Sequence, residues 1–115
     1  GTNFSGGQRQ RLAIARAIMK MAEIYIFDDS FSALDMKTDQ QLRQNIKESM
    51  EDATVIVMAQ RVSTIMDATR IIVLENGEVA GMGTHRELLK SCKFYREIAE
   101  IQLGKEEVKR ELESA

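Results

Sequence analysis

Phe4-Ser5-Gly6-Gly7-Gln8, then Ile24-Tyr25-Ile26-Phe27-Asp28-Asp29, then Ser32-Ala33-Leu34-Asp35: this order of short runs decides the reading of the chain. The first run opens a helix. Free backbone N–H groups at a helix start favour an anion, and two glycines let a phosphate come close to the backbone. Ser5 can add a hydroxyl donor. The same residues also read as a plain cap in which Gln8 completes a capping box, and alone they leave both readings open. The second run is an apolar strand that ends in two acids. A carboxylate at the carboxyl end of such a strand stands where α/β sheets place ligands, and Asp28 there can hold Mg²⁺. The bland alternative is an acid leaving a sheet for solvent.

Outward from this stretch, helices and strands alternate. Leu12, Ala15, Ile18, Met19 and Ala22 are spaced by threes and fours, which predicts a helix over 5–22. Residues 24–27 are an unbroken apolar run, as are residues 55–59 of the segment 54–59, and both predict strands buried on both faces. Asp35 can cap a helix over 37–51 that carries Leu42, Ile46 and Met50. A short helix near 63–67 and a strand over 71–74 follow. Asn76-Gly77 tolerates positive φ and predicts a hairpin turn into 78–82. Thr84 and Glu87 form a capping box for a helix over 85–91, followed by a helix over 93–102. The tail, 104–115, is charged, with Val108 and Leu112 alone spaced for packing, and reads as a solvated helix end or as disordered. The pattern is α/β with a largely parallel sheet and a C-terminal β-hairpin.

Composition narrows the classes. The 115 residues amount to one small domain or a piece of a larger one. A net charge of −2 points away from nucleic acid and anionic lipid as partners. No apolar run reaches the roughly 18 residues that span a bilayer. The single Cys92 rules out an internal disulfide. The single His85 reads as structural, and the seven methionines read as core filling.

In these motifs the chain resembles the nucleotide-binding domain of ABC transporters, over residues 1–103, with 104–115 as a tail. Phe4 to Gln8 resembles the family signature, Ile24 to Asp28 its Walker B strand, and Ser32-Ala33-Leu34-Asp35 its D-loop. The run Gln8 to Ala17 resembles the signature helix. Met58-Ala59-Gln60-Arg61-Val62-Ser63-Thr64 is similar to the switch loop, and Gly81 to Leu89 to a segment of exporter-type domains. The resemblance implies that Ser5, Gly6, Gly7 and Gln8 bind the γ-phosphate of an ATP held by an opposite subunit. It also implies nucleotide contacts for Ser32, Ala33, Leu34 and Asp35, Mg²⁺ at Asp28, and catalytic positions at Asp29 and Gln60.

Two residues depart from the pattern. Efficient members carry Glu at the position of Asp29, as general base. Asp is one methylene shorter, and a misplacement of about 1 Å can cost on the order of a hundredfold in rate. Members usually carry His at the position of Gln60. Gln can bond a phosphate but cannot carry the proton. Together the departures imply the catalytically degenerate half of a bacterial heterodimeric exporter, with an intact signature serving its partner.

No Gly-x-x-x-x-Gly-Lys-Ser/Thr is present. The resemblance therefore places the Walker A strand, the adenine-stacking aromatic, the Q-loop and a transmembrane domain N-terminal in the same polypeptide, at the cytoplasmic face of the cell membrane. In that family the Walker A strand lies between the strands 54–59 and 71–74. Without it the two strands are expected to close up, to pair with another copy, or to take a strand from another chain. The fragment alone is expected to hydrolyse no ATP. The alternatives are a soluble ABC-type ATPase outside transport and a non-catalytic regulatory dimerisation module.

Overall fold

Ser5 to Ser114 are the residues that the computed structural model describes. Phe4, read above as the first residue of the signature-like run, lies outside them. The chain divides into two compact units, Gly1–Gln60 and Arg61–Ala115.

In the first unit, α1 (Gly6–Ile18) leads into β1 (Ile24–Asp28), α2 (Met36–Ser49) and β2 (Thr54–Met58). β1 and β2 pair in parallel, from Ile24 opposite Thr54 to Asp28 opposite Met58. The α1 helix stops at Ile18, short of the expected Ala22. The Tyr25 hydroxyl accepts the Ala22 amide at 2.8 Å, and the chain turns through Met21 at φ 48°. That turn cannot belong to a right-handed helix. Asp35 caps α2 as expected, accepting from the Thr38 amide at 3.2 Å.

Tyr25 and Phe27 point to one face of the parallel pair and pack with Ile14, Phe31, Leu34, Ile46 and Met50. The other face carries Ile24, Ile26, Ile56 and Met58, all exposed. This corrects the expectation that both strands are buried on both faces. Side chains alternate across a strand, so helices over one face bury every second residue only.

In the second unit, α3 (Val62–Ile65) precedes a hairpin of β3 (Ile71–Glu75) and β4 (Glu78–Gly83). α4 (His85–Ser91), α5 (Lys93–Leu103) and α6 (Lys105–Glu113) follow. The hairpin turns on Asn76 at φ 53° and Gly77 at φ 78°, as a type I′ turn requires. A bulge lies between Val73 and Leu74. α4 comes so close to β4 that a Cβ on Gly81 would meet Leu88 at 3.0 Å and Cys92 Sγ at 3.1 Å. Thr84 and Glu87 form the expected capping box.

The α/β class holds, with parallel pairing confined to β1 and β2. β2 belongs to the two-stranded sheet with β1, and β3 to the two-stranded sheet with β4.

The charged tail forms helix α6, the helical of the two alternatives expected, but it is packed rather than solvated. Val108 is buried in the core of this unit beside Leu88, Leu89, Tyr95 and Ala99, and Leu112 packs against it. The two residues spaced for packing were enough because α6 also bonds His85 through Glu111. No described helix is long and apolar enough to cross a membrane.

Candidate functional site

The tip of α1 is built by its own cap. Ser5 Oγ accepts the Gln8 amide at 3.1 Å, and the Ser5 amide donates to Gln8 Oε1 at 2.9 Å. The first intrahelical bond runs from the Arg9 amide to the Ser5 carbonyl. The amides of Gly6 and Gly7 lie ahead of that bond, where helix geometry supplies no backbone acceptor. The capping box and the anion site are therefore compatible: the box occupies the Gln8 amide and leaves the tip its two glycine amides.

A depression of about 370 Å³ opens over this tip. Ser5, Gly6, Gly7 and Arg11 form one side. Ala33, Leu34, Asp35 and Thr38 form the other. The glycines matter here for a second reason. A Cβ on Gly7 would stand 3.1 Å from the Ala33 carbonyl oxygen, and one on Gly6 3.3 Å from the Ala33 Cβ. The helix tip thus packs directly on the loop after β1. Arg11 brings a positive charge to the depression. Asp35 brings a carboxyl held below the ordinary carboxylate range by the hydroxyl and amide of Thr38. Its charge is committed to the start of α2.

A different set gathers at the carboxyl end of the parallel pair. Asp28 ends β1, opposite Met58, which ends β2. Asp29 follows, and its amide donates to the Met58 carbonyl at 2.8 Å. Gln60 stands two residues past β2 and is exposed, as are both acids. None of these three residues lines the depression at the α1 tip. Asp29 has φ 53°. Left-handed backbone at a residue other than glycine costs on the order of 1–3 kcal/mol and persists only where its surroundings hold it.

Among the described residues no three His, Cys, Asp or Glu side chains lie together as a metal site.

Sequence reasoning gave no role to Gln10. Its Nε2 donates to the Asp29 carbonyl at 3.1 Å and to Ser32 Oγ at 2.9 Å, and its Oε1 accepts the Ala33 amide at 2.7 Å. Ser32 Oγ also donates to the Asp29 carbonyl at 3.3 Å. Arg11 and Thr38 were likewise not assigned to the depression. Only the position of Gln10 in the helix after the glycines hinted that it could face the same loop.

His85 is structural in its contacts. Its Nδ1 lies 2.6 Å from the Tyr95 hydroxyl and its Nε2 2.5 Å from Glu111 Oε2. A carboxylate can only accept, so Nε2 carries a proton; in the neutral ring Nδ1 then accepts from Tyr95. Burial, and then the Glu111 charge, push the Tyr95 phenol up to about 12.

Comparison with known proteins relates the chain to ABC transporters. A family profile described as ABC transporter matches residues 1–32. An uncharacterised ABC transporter ATP-binding protein of Mycobacterium tuberculosis is 51% identical over 89% of this chain. The ATP-dependent lipid A-core flippase of Photobacterium profundum is 44% identical over 90% of it. Among solved structures, a bacterial Atm1-family ABC exporter with ATP bound superimposes with a TM-score of 0.84, at 39% identity over 88% of this chain. The chain spans 18% of the length of each of these three proteins.

Proposed function

Since this chain is a fragment of an ABC transporter ATP-binding domain, homologous to those of ABC exporters, we propose that its full polypeptide couples ATP binding and hydrolysis to substrate export across a membrane. The domain would work at the cytoplasmic face, joined to a transmembrane domain in the same polypeptide and paired with a second ABC subunit. ATP and Mg²⁺ are its cofactors in this reading.

One observation carries the proposal: the glycine tip of α1 shares a depression with the Ala33–Asp35 loop, while Asp28, Asp29 and Gln60 stand at the strand ends outside it. This separation suits two nucleotides rather than one. Ser5, Gly6 and Gly7 would meet the terminal phosphate of an ATP held by the partner. Asp28 would meet the Mg²⁺ of the chain's own ATP, with Asp29 and Gln60 toward its γ-phosphate.

The two halves would be unequal. An attacking water needs a base within hydrogen-bond reach, and Asp29 offers a short side chain from a strained backbone position. Gln60 can donate an N–H to phosphate but cannot shuttle a proton. The chain's own site would bind ATP and hydrolyse it slowly, and the partner's site, completed by Ser5 to Gln8, would turn over. The relatives named as transporter proteins and flippases favour export over a soluble ATPase.

Site-directed variants of the full-length pair test the inequality. Asp29→Asn should change the ATPase rate less than about threefold, while the amide variant of the partner's matching acid should lower it on the order of a hundredfold or more. Loss of turnover in Asp29→Asn would overturn the degenerate half and leave the exporter reading standing.

A further inference from the structure

We propose that Gln10 is a positioning residue that holds the two walls of the α1-tip depression together and ties them to Asp29; this rests on the nucleotide reading above. Its single carboxamide uses both kinds of bonding atom. The amide nitrogen reaches Asp29 and Ser32, and the oxygen takes the Ala33 amide. These bonds join a helix to a loop 19 to 23 positions later in the chain.

Each bond lands on a site element. Ala33 is the residue on which Gly6 and Gly7 pack, and it lines the depression itself. Asp29 has its amide held by β2 and its carbonyl held by Gln10. Both backbone groups of that left-handed residue are therefore anchored, and one anchor is a side chain from the phosphate-binding helix. A phosphate drawing on the α1 tip would move the loop and Asp29 with it. A residue that acts this way sets geometry in the closed, reacting state, so its loss should lower kcat more than it raises KM.

The test uses the full-length pair with Gln10→Ala and Gln10→Glu in this chain. Glu keeps the acceptor for the Ala33 amide and loses the donors to Asp29 and Ser32. In Gln10→Ala, amide hydrogen exchange at Ala33 should rise about tenfold, the size expected for one lost hydrogen bond. Its kcat should fall about tenfold with KM within about twofold. Gln10→Glu should restore Ala33 protection to within about twofold and recover part of kcat.

Unchanged exchange at Ala33 in Gln10→Ala would overturn the inference. So would a fall in turnover accompanied by lost protection throughout α1 and α2, which would mark general destabilisation. If the wild-type pair hydrolyses no ATP, the nucleotide reading falls, and Ala33 exchange still decides whether Gln10 holds the loop.

Discussion

In residues 5–60 the carboxamide of Gln10 in α1 holds a loop, bonding Asp29, Ser32 and Ala33, all of them exposed. In residues 61–114 the ring of His85 joins three helices: His85 of α4 meets Tyr95 of α5 and Glu111 of α6, with His85 and Tyr95 buried. The first arrangement keeps amides and carboxylates at the surface, where a phosphate or a cation can reach them. The second removes polar groups from water and satisfies each of them within the fold, which secures α6 rather than a ligand. The same chemistry thus ties a helix to a surface loop in one unit and helices to one another in the other, and burial separates the two uses.

The contrast is sharpest in packing. Leu88 is fully buried in the second unit, and Leu88→Ala should cost about 3 kcal/mol in denaturant unfolding. Gln10→Ala, which removes surface bonds only, should cost about 1 kcal/mol. A reversed ranking would break the comparison, since it would make the loop bonds, not the helical core, the mainstay of stability.

Alkaline unfolding probes the clamp itself. The phenol of Tyr95 is pushed up to about 12 from an ordinary 10. The folded state therefore keeps its proton where the unfolded state loses it. The stabilisation is fully present below pH 10 and is lost as pH rises through about 12. Discounted for solvent screening, the loss across that window should be on the order of 1 kcal/mol. Glu111→Gln removes the second cause of the shift and should narrow the window. A flat profile from pH 10 to 12 would mean that Tyr95 is not confined as described.

Backbone strain gives the smallest effect. Asn76 at φ 53° suits its turn, whereas Met21 at φ 48° has no such aptitude. Met21→Gly should stabilise the first unit by up to about 1 kcal/mol, read from the denaturation midpoint. A loss of stability would show that the Met21 side chain holds the turn in place.

Much of this was legible from local signals. Asn76-Gly77 announced its turn and Thr84 with Glu87 its cap, because both act within four residues. Ser5 and Gln8 announced a cap that proved compatible with an anion site. The apolar runs at 24–27 and 54–59 located strands but misstated their burial. Such a run does not say whether helices cover one face or two, and Ile24, Ile26, Ile56 and Met58 are exposed. The packing of α6 was missed because its anchor, Glu111 on His85, lies 26 positions away. Gln10 was missed for the same reason: its partners are remote in sequence, and nothing in a helical glutamine marks it as a clamp. The acids at 28 and 29 were placed at a strand end correctly, yet the left-handed backbone of Asp29 left no trace in the residue order.

The most direct test is an experimental structure of the full-length pair with ATP and Mg²⁺. Ser5 Oγ and the Gly6 and Gly7 amides are expected within about 3 Å of a terminal phosphate held by the partner, with Asp28 and Asp29 beside a second nucleotide. A single nucleotide contacted by both sets, or an α1 tip with no phosphate near it, would contradict the account.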